Sequence, residues 1–443
     1  MTYLFITGYL LLLIGIMYKS YRANRTAKEY ISAKNSLGVF DIAASATAGV
    51  LDVASVFVLF GATLLFGAAG VGIWLAYLVA TILIAILTPY FYDAVAGDDA
   101  WTFSDFFRVR FGKYTEKTFG IISSLYVLGL IVGIYSINLV LFAKFLDVGT
   151  YWATIISFAI TMIYVLVGGF RGLVNTDIIQ YVIMLVFLTA AAIFFPEAEG
   201  ATASFEVSSM FTGAFLMLVP VIFFQNMVKP AAWQPIIGAK NKSTAIKGMW
   251  LAVVLNALVV VPLVWVSLSY AQLLPDSVPT EVLIDALGTV LPGFLTPVVF
   301  IGLLAALMSS LDSALFFIGT NVTHNLIPKR FSESFGELKL VRVVIVLVSL
   351  FAVLLSILVP DFVTLVFNLM PLMGVVALPF FIGLFVSGRG FDLGTAIAMV
   401  CGALSFAYMF VNPPAQFIWN LIPIVVSGVV CIGFWLSAPK SRV

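Results

Sequence analysis

A carboxylate and three hydroxyl groups stand close together between Ala305 and Ala314, inside an apolar run long enough to cross a bilayer. In a helix, Ser309, Asp312 and Ser313 lie at i, i+3 and i+4 and share one face. A carboxylate at bilayer depth costs about 2.5 to 3.5 kcal/mol, so it usually has a partner. Because hard oxygen donors suit sodium, the pattern indicates part of a small cation site. In the alternative interpretation, the hydroxyls bond to carbonyls of their own helix and Asp312 pairs with a neighbouring helix.

The composition is that of a polytopic membrane protein. Of the 443 residues, 62% are hydrophobic and 10% are charged, whereas soluble domains are about 25% charged. The net charge of +1, without a Lys/Arg-rich run, argues against nucleic acid as a partner. One histidine and two cysteines do not supply a catalytic triad or a zinc centre. We therefore expect no enzyme activity and no obligate protein partner.

Apolar runs of about 17 or more residues predict an all-α protein with thirteen membrane spans. The predicted spans cover 3–19, 38–66, 71–95, 117–146, 150–168, 172–197, 209–236, 245–272, 293–326, 340–359, 361–387, 391–411 and 416–437. Cationic residues fall in alternate loops, whereas the loops at 196–208 and 273–291 are acidic and contain no Lys or Arg. The positive-inside rule then predicts an outside N-terminus and a cytoplasmic C-terminus. The compact loops favour the inner membrane of a cell.

Two spans are interrupted near their centres. The second span has small and polar residues over 46–55, and the seventh contains Lys229-Pro230, where proline removes a helical hydrogen bond. Interrupted first helices in inverted five-helix repeats mark a substrate site at the midplane. We predict a single membrane domain over 1–443. Its parts are an N-terminal helix and loop (1–37), two repeats (38–197 and 209–387) and two C-terminal helices (388–443).

Three motifs resemble those of the sodium/solute symporter family, which has the LeuT-type inverted-repeat fold. The segment 168–180, with Gly168-Gly169 and Thr176-Asp177-Ile178-Ile179-Gln180, resembles the start of the family's sixth helix. The segment 305–313 resembles its ninth helix, and Gln234 with 238–241 resembles the stretch that closes its seventh. The resemblance implies a transporter that binds one or two sodium ions.

The resemblance also implies positions for the ions. The first sodium site matches the carbonyls of Val50 and Val53 together with Ala306, Ser309 and Ser310. A possible second site matches Asp177, Ser309, Asp312 and Ser313. Two buried carboxylates close together favour a bound cation or a shared proton. Asp177 has an alternative role as an interfacial acid near Arg171 at a helix start.

Asp52, at the interruption of the second span, resembles the acid that proline/sodium symporters have there, and it could meet a sodium ion or a substrate ammonium. The further candidates for a solute cavity are Phe57, Trp74, Tyr77, Tyr135, Asn138, Phe224, Gln225, Asn226 and Asn368. Two positions depart from the family pattern: Lys229-Pro230 stands where the family has Asn-Gln, and Pro235 replaces an arginine. Lys229 could supply a replacement charge or bind a substrate carboxylate.

These observations predict a sodium-coupled symporter that imports a small polar organic solute across the lipid bilayer by alternating access. An amino acid such as proline, or a related osmolyte, is the favoured solute. Choline, another quaternary amine or an organic acid is the alternative. A proton-coupled transporter is the nearest rival in mechanism, because Asp177 and Asp312 could share a proton. An intramembrane aspartyl protease also needs two carboxylates, but the chain lacks a Gly-x-Gly-Asp motif.

Overall fold

The computed structural model describes residues 2–23, 26–50, 56–57, 59–60, 62–63, 68–96, 100–194, 213–271, 284, 291–359, 361–386, 391–413 and 417–437. Within these ranges the chain is helical, and its only extended pairing is an isolated bridge between Leu37 and Ala239. Each of the thirteen predicted spans contains at least one helix.

In the described part of the first half, seven helices have assigned bounds. They are α1 (Thr2–Ala23), α2 (Ala27–Ser32), α3 (Val39–Val50), α4 (Ala68–Ala96), α5 (Phe103–Arg110), α6 (Lys113–Leu146) and α7 (Thr150–Phe194).

In the described part of the second half, ten α-helices have assigned bounds. They are α8 (Gly213–Met227), α9 (Pro230–Ile237), α10 (Lys242–Ala271), α11 (Thr296–Thr320), α12 (Lys329–Phe335), α13 (Glu337–Ser356), α14 (Phe362–Gly374), α15 (Ala377–Phe385), α16 (Asp392–Val411) and α17 (Ile422–Ser437). A π-helical turn at Asn321–Leu326 extends α11. In the described part, nine helices are long and apolar enough to cross a membrane, and three shorter apolar ones are Ile6–Tyr21, Val39–Val50 and Thr150–Met162.

Helices α6 and α11 form the centre of the bundle. Their most apolar stretches are 78% buried, compared with 33% for α13 and α16 and 28% for α17. α11 contacts both α6 and α7, and α3 contacts α7, α9, α10 and α11. The outer helices expose apolar surface that can contact lipid. The polar groups of α11 are buried, so they must contact groups on other helices.

α7 combines the fifth and sixth predicted spans, which meet at a kink. Gly169, in the predicted Gly-Gly turn, has φ of 61° and ψ of −174°. This backbone conformation is open almost only to glycine. The kink therefore depends on the residue type at this position.

We expect Gly169→Ala to destabilise the protein by about 1 to 3 kcal/mol, because alanine would hold a conformation that L side chains rarely adopt. Gly15→Ala is a matched control, since a Cβ at Gly15 of α1 meets no other atom within 4 Å. Thermal unfolding of both variants in detergent checks the prediction. Equal melting temperatures for the two variants would contradict it.

The interruption of the seventh span lies where the sequence predicts it, because α8 ends at Met227 and α9 begins at Pro230. In the second span, α3 is helical through the first half of the predicted interruption at 46–55 and is described as far as Val50, whereas 51–55 lie outside the described residues. The structure adds an interruption that the sequence analysis missed, between the end of α14 at Gly374 and the start of α15 at Ala377. Pro379 was the available signal, because it has no N–H to donate to the Val375 carbonyl four residues earlier, and that carbonyl accepts a hydrogen bond from the Ser427 hydroxyl at 2.7 Å instead.

Candidate ion and solute site

Asp177 connects three helices in the interior of the bundle. Its side chain is 1% exposed. One carboxylate oxygen accepts a hydrogen bond from the Ser45 hydroxyl of α3 at 2.9 Å, and the other accepts one from the Ser309 hydroxyl of α11 at 3.0 Å. These two bonds hold α3 and α11 against α7 through one acidic group. This arrangement does not fit the alternative role of Asp177 as an interfacial acid at a helix start.

Asp312 lies beside this carboxylate and is fully buried. No donor in the described residues meets hydrogen-bond geometry at either of its carboxylate oxygens, although the Tyr164 hydroxyl and the Ser313 hydroxyl and N–H lie near enough to interact with them. Asp177 is close enough for the two charges to repel each other, and Tyr164 and Ser313 are also neighbours of Asp312. A buried carboxylate without hydrogen-bond donors is costly unless a cation or a proton compensates its charge. Asp312 is therefore a candidate cation ligand.

The predicted second sodium site is thus a cluster in which Asp177 and Ser309 are hydrogen-bonded and Asp312 and Ser313 are adjacent. Its carboxylate and hydroxyl oxygens are hard donors, which fit sodium. No group of three or more His, Cys, Asp or Glu among the described residues is arranged to hold a metal ion. The sequence analysis missed Ser45, which immediately precedes the small-residue stretch of the second span.

The predicted first sodium site is only partly described. Val50 is the last residue of α3 and is fully buried, whereas Val53 lies outside the described residues. On α11, the Ser310 hydroxyl donates to the Ala306 carbonyl at 3.1 Å, which is the bond within one helix that the alternative interpretation expects. The Ser309 hydroxyl donates to Asp177, a residue of the predicted second site. The first site remains a prediction.

A small cavity of about 50 Å³ lies where the ends of α3 and α9 meet α11 and α6. Its polar lining includes Lys229, Ser309, Ser310 and Ser313. The helices approach closely here, because a Cβ added to Gly49 would lie 2.8 Å from the backbone carbonyl group of Ala231. Only glycine at this position permits that approach.

Seven of the predicted solute-binding residues are buried: Phe57, Trp74, Tyr77, Tyr135, Asn138, Gln225 and Asn226. Four of these, Trp74, Asn138, Gln225 and Asn226, have side-chain polar atoms without a hydrogen-bond partner in the described part. Gln225 donates from Nε2 to the Tyr126 hydroxyl at 2.6 Å, and Asn226 donates from Nδ2 to the Ile222 carbonyl at 2.9 Å. The Gln225 Oε1, the Asn226 Oδ1 and the Trp74 Nε1 have no hydrogen-bond partner within the described part. The Trp74 and Tyr77 rings lie 5.5 Å apart. These atoms could bind the polar groups of a solute.

The other predicted solute residues take different positions. Phe57 packs edge-on against Phe362 with ring centroids 6.1 Å apart, and Phe224 packs against its neighbour Phe223. The hydroxyl of Tyr135 contacts Ser349 of α13, and buried Asn138 has no hydrogen-bond partner among the described residues.

Asn368 is exposed, and Asp52 lies outside the described residues. Tyr126, which contacts Gln225, was missed. α6 is apolar on every side, so the sequence does not show which of its faces meets Gln225.

A second polar group, the Asp105 cluster, lies at one end of the bundle. It comprises Trp101, Thr102, Asp105, Arg108, Glu116, His324, Asn325 and Glu337. Asp105 accepts hydrogen bonds from two backbone N–H groups, each at 2.9 Å, and from Asn325 at 3.2 Å. The ring of His324 stacks on Trp101 and lies between Asp105 and Glu337, at 3.6 and 2.9 Å. This cluster joins α5, α6 and α13 to the end of the helix that contains Asp312.

The charge state of Asp105 follows from these contacts. Burial acts to raise the pKa of its carboxyl group, but the hydrogen bond and charge of His324, with the N–H groups of Trp101 and Thr102, hold that pKa well below its usual range. Asp105 is therefore ionised at neutral pH.

Comparison with known proteins identifies the fold. The sequence model of the sodium:solute symporter family matches residues 30–402. No curated protein matches the chain in sequence. A Na+-coupled sialic acid symporter, solved in a substrate-bound outward-open state, is similar over 99% of this chain and 98% of that chain, with a TM-score of 0.82 and 16% identity.

Two more distant structures are similar in fold. Mhp1, a transporter of the nucleobase-cation-symport-1 family, has a TM-score of 0.61 and 16% identity over 94% of this chain and 96% of its own. The manganese transporter of Eremococcus coleocola has a TM-score of 0.56 and 12% identity over 90% of this chain and 92% of its own. These similarities confirm the fold class that the sequence predicts, an all-α multi-pass membrane protein.

Proposed function

The chain belongs to the sodium:solute symporter family, whose members are transporters and not enzymes, and we propose that it imports a small polar organic solute together with sodium. The observation that carries this proposal is Asp312, a fully buried carboxylate without a hydrogen-bond donor in the described part, next to Asp177. Sodium supplies the compensating charge that this pair of carboxylates needs.

Sodium at Asp177, Ser309, Asp312 and Ser313 would bind between α7 and α11, and through Ser45 it would also favour the position of α3. α3 continues towards the interruption of the second span, which is the predicted boundary of the solute site. An ion that binds one arrangement of these helices better than another shifts the population towards it. Solute affinity then rises with sodium, and sodium affinity rises with solute by the same factor.

The solute would bind near Trp74, Tyr77, Gln225 and Asn226. The spare amide oxygens of Gln225 and Asn226 accept hydrogen bonds, and the Trp74 indole N–H donates one. This mixture suits an amino acid such as proline or a related osmolyte, with aromatic rings against its apolar part. The sialic acid that the similar symporter transports belongs to that protein, and at 16% identity it does not identify the solute here. Choline, another quaternary amine or an organic acid is the alternative.

We place the protein in the inner membrane of a cell, with the N-terminus outside and the C-terminus in the cytoplasm. The alternation of cationic and acidic loops supports this orientation.

Uptake into proteoliposomes tests the proposal. We expect an inward sodium gradient, at equal pH on both sides, to drive accumulation of one member of a panel of labelled proline, other amino acids, betaine, choline and sialic acid. A potassium gradient of the same size should drive none. If a proton gradient drives accumulation and sodium has no effect, the carboxylates bind a proton and the sodium proposal is wrong.

A further inference from the structure

The end of the bundle that the loop charges predict to be cytoplasmic is closed by a cluster of aromatic rings around α5. The rings come from α4, α5, α6, α9 and α15, and all of them are fully buried: Phe91, Phe103, Phe106, Phe107, Phe119, Trp233 and Phe380. Along the seventh span, Gln225 comes first, Trp233 second and the exposed Lys240 last. The aromatic cluster therefore lies between the proposed solute site and this end of the protein.

Gln234 of α9 binds the start of α5 through both ends of its side-chain amide. Its Oε1 accepts a hydrogen bond from the Phe103 N–H at 2.9 Å, and its Nε2 donates one to the Trp101 carbonyl at 2.8 Å. Phe103 is the first residue of α5, where backbone N–H groups have no partner within the helix. The buried amide of Gln234 thus supplies a partner that α5 cannot supply itself.

On its other side, α5 is attached to the end of α11 by more hydrogen bonds, one of which involves a charge. The Thr102 hydroxyl donates to Asn325 at 2.9 Å, and the Ser104 hydroxyl donates to Asn321 at 2.5 Å. Asn325 also donates to the ionised Asp105 at 3.2 Å. Hydrogen bonds to an ionised group are roughly twice as strong as neutral ones. α5 therefore separates from α9 more easily than from α11.

α9 is also connected to the proposed solute site. The Trp233 indole N–H donates to the carbonyl of Met227, the last residue of α8, at 2.8 Å. This bond spans the interruption and ties α9 to the turn that contains Gln225 and Asn226. A solute that binds these two amides therefore acts on the same short helix that holds α5.

We propose that Gln234 is a positioning residue that keeps the cytoplasmic side closed, and that this side opens when α9 leaves α5 while α5 stays on α11. The inference rests on the proposed function and specifies the contact that must break before the solute is released. Closure then depends on two neutral hydrogen bonds from one side chain, in addition to the packing of the rings.

The rate at which a charged methanethiosulfonate modifies a cysteine at position 123, in inside-out membrane vesicles, tests the inference. Ser123 is fully buried on α6, four residues after Phe119 of the aromatic cluster and three before Tyr126, which contacts Gln225. The reporter is Ser123→Cys in a full-length chain whose two native cysteines are replaced by alanine.

We expect Gln234→Leu to raise the modification rate by on the order of 10- to 100-fold, because the closed state alone loses two neutral hydrogen bonds. Gln234→Asn, whose shorter amide does not reach both backbone groups, should raise the rate by a smaller factor. Asn256→Leu is the matched control. It removes a buried amide that bonds Thr81 between α10 and α4, away from α5, so it should lower the melting temperature without raising the rate.

An unchanged rate in Gln234→Leu, folded as judged by a single melting transition, would overturn the inference. So would an equal rise in Asn256→Leu, since general loosening would then explain both. If Gln234→Leu does not fold, the milder Gln234→Asn decides by the same criteria. Sodium-driven uptake by the reporter protein is measured in parallel. Its absence would refute the proposed function, whereas uptake with an unchanged modification rate would refute only the role of Gln234.

Discussion

Replacing Asp312 with asparagine is expected to abolish the stabilisation of the protein by sodium and, at the same time, to raise its stability in sodium-free buffer. Asparagine has nearly the same shape but no charge. The variant therefore loses the cation ligand, and it also loses the cost of a fully buried carboxylate without a hydrogen-bond donor in the described part. For the wild type, sodium at 100 times its dissociation constant should add about 2.7 kcal/mol.

Melting temperatures over a series of sodium concentrations, with potassium chloride at equal ionic strength as reference, test this expectation. Asp147→Asn is the matched control, because Asp147 is an exposed acid after α6 with a φ of 52°, a conformation that asparagine also adopts. The control should keep the full effect of sodium. An Asp312→Asn variant that sodium still stabilises would show that the ion binds elsewhere. A lower melting temperature in sodium-free buffer would show that Asp312 has a structural partner.

Replacing Asp105 with asparagine is expected to destabilise the protein by about 3 to 5 kcal/mol, because it removes one charge from a buried ion pair. Arg108 and His324 would lose the carboxylate that they share. The hydrogen bond that Asn325, at the end of α11, donates to residue 105 of α5 would lose its charged acceptor. Thermal unfolding at pH 7 measures the effect. Asp93→Asn is a control with a small expected effect, since the Asp93–Lys242 pair is exposed at the surface.

The difference in stability between the wild type and Asp105→Asn should also depend on pH. The pKa of Asp105 in the folded protein lies below its usual value, so the ionised carboxylate favours folding, and this contribution is complete above the unfolded-state pKa of about 4. It is lost as the pH falls further, towards the folded-state pKa. The advantage of the wild type over Asp105→Asn should therefore persist from pH 7 to about pH 5 and shrink below pH 4. An advantage that disappears between pH 7 and 5 would contradict the assignment of this charge.

Much of the fold could be predicted from the sequence, since the length of an apolar run and the charge of the residues in each loop depend on the chain alone. Each predicted span contains a helix. The kink at Gly169 and the interruption before Pro230 follow from residue types that cannot continue a regular helix. The interruption after Gly374 was missed because the run around it is uniformly apolar and reads as a single span.

The ion site was predicted because charge at bilayer depth is rare and because Ser309, Asp312 and Ser313 are neighbours on one helix. The contacts between helices could not be predicted from the sequence. Ser45 and Asp177 are 132 residues apart, and Tyr126 and Gln225 are 99 apart. A helix that is apolar on every side has no pattern to show which face meets which neighbour.

The sequence by itself determined that this is a helical membrane protein with a buried carboxylate and hydroxyls on one helix, because composition and helical spacing are properties of the chain. Only the tertiary structure decided which groups share a space. It brings Ser45 and Asp177 to the face of Ser309, leaves Asn368 exposed, and puts Lys229 in the cavity with Ser309 and Ser310. The rotation of each helix about its axis and the approach of α9 to α3 fix these neighbours, and neither is encoded in a local pattern.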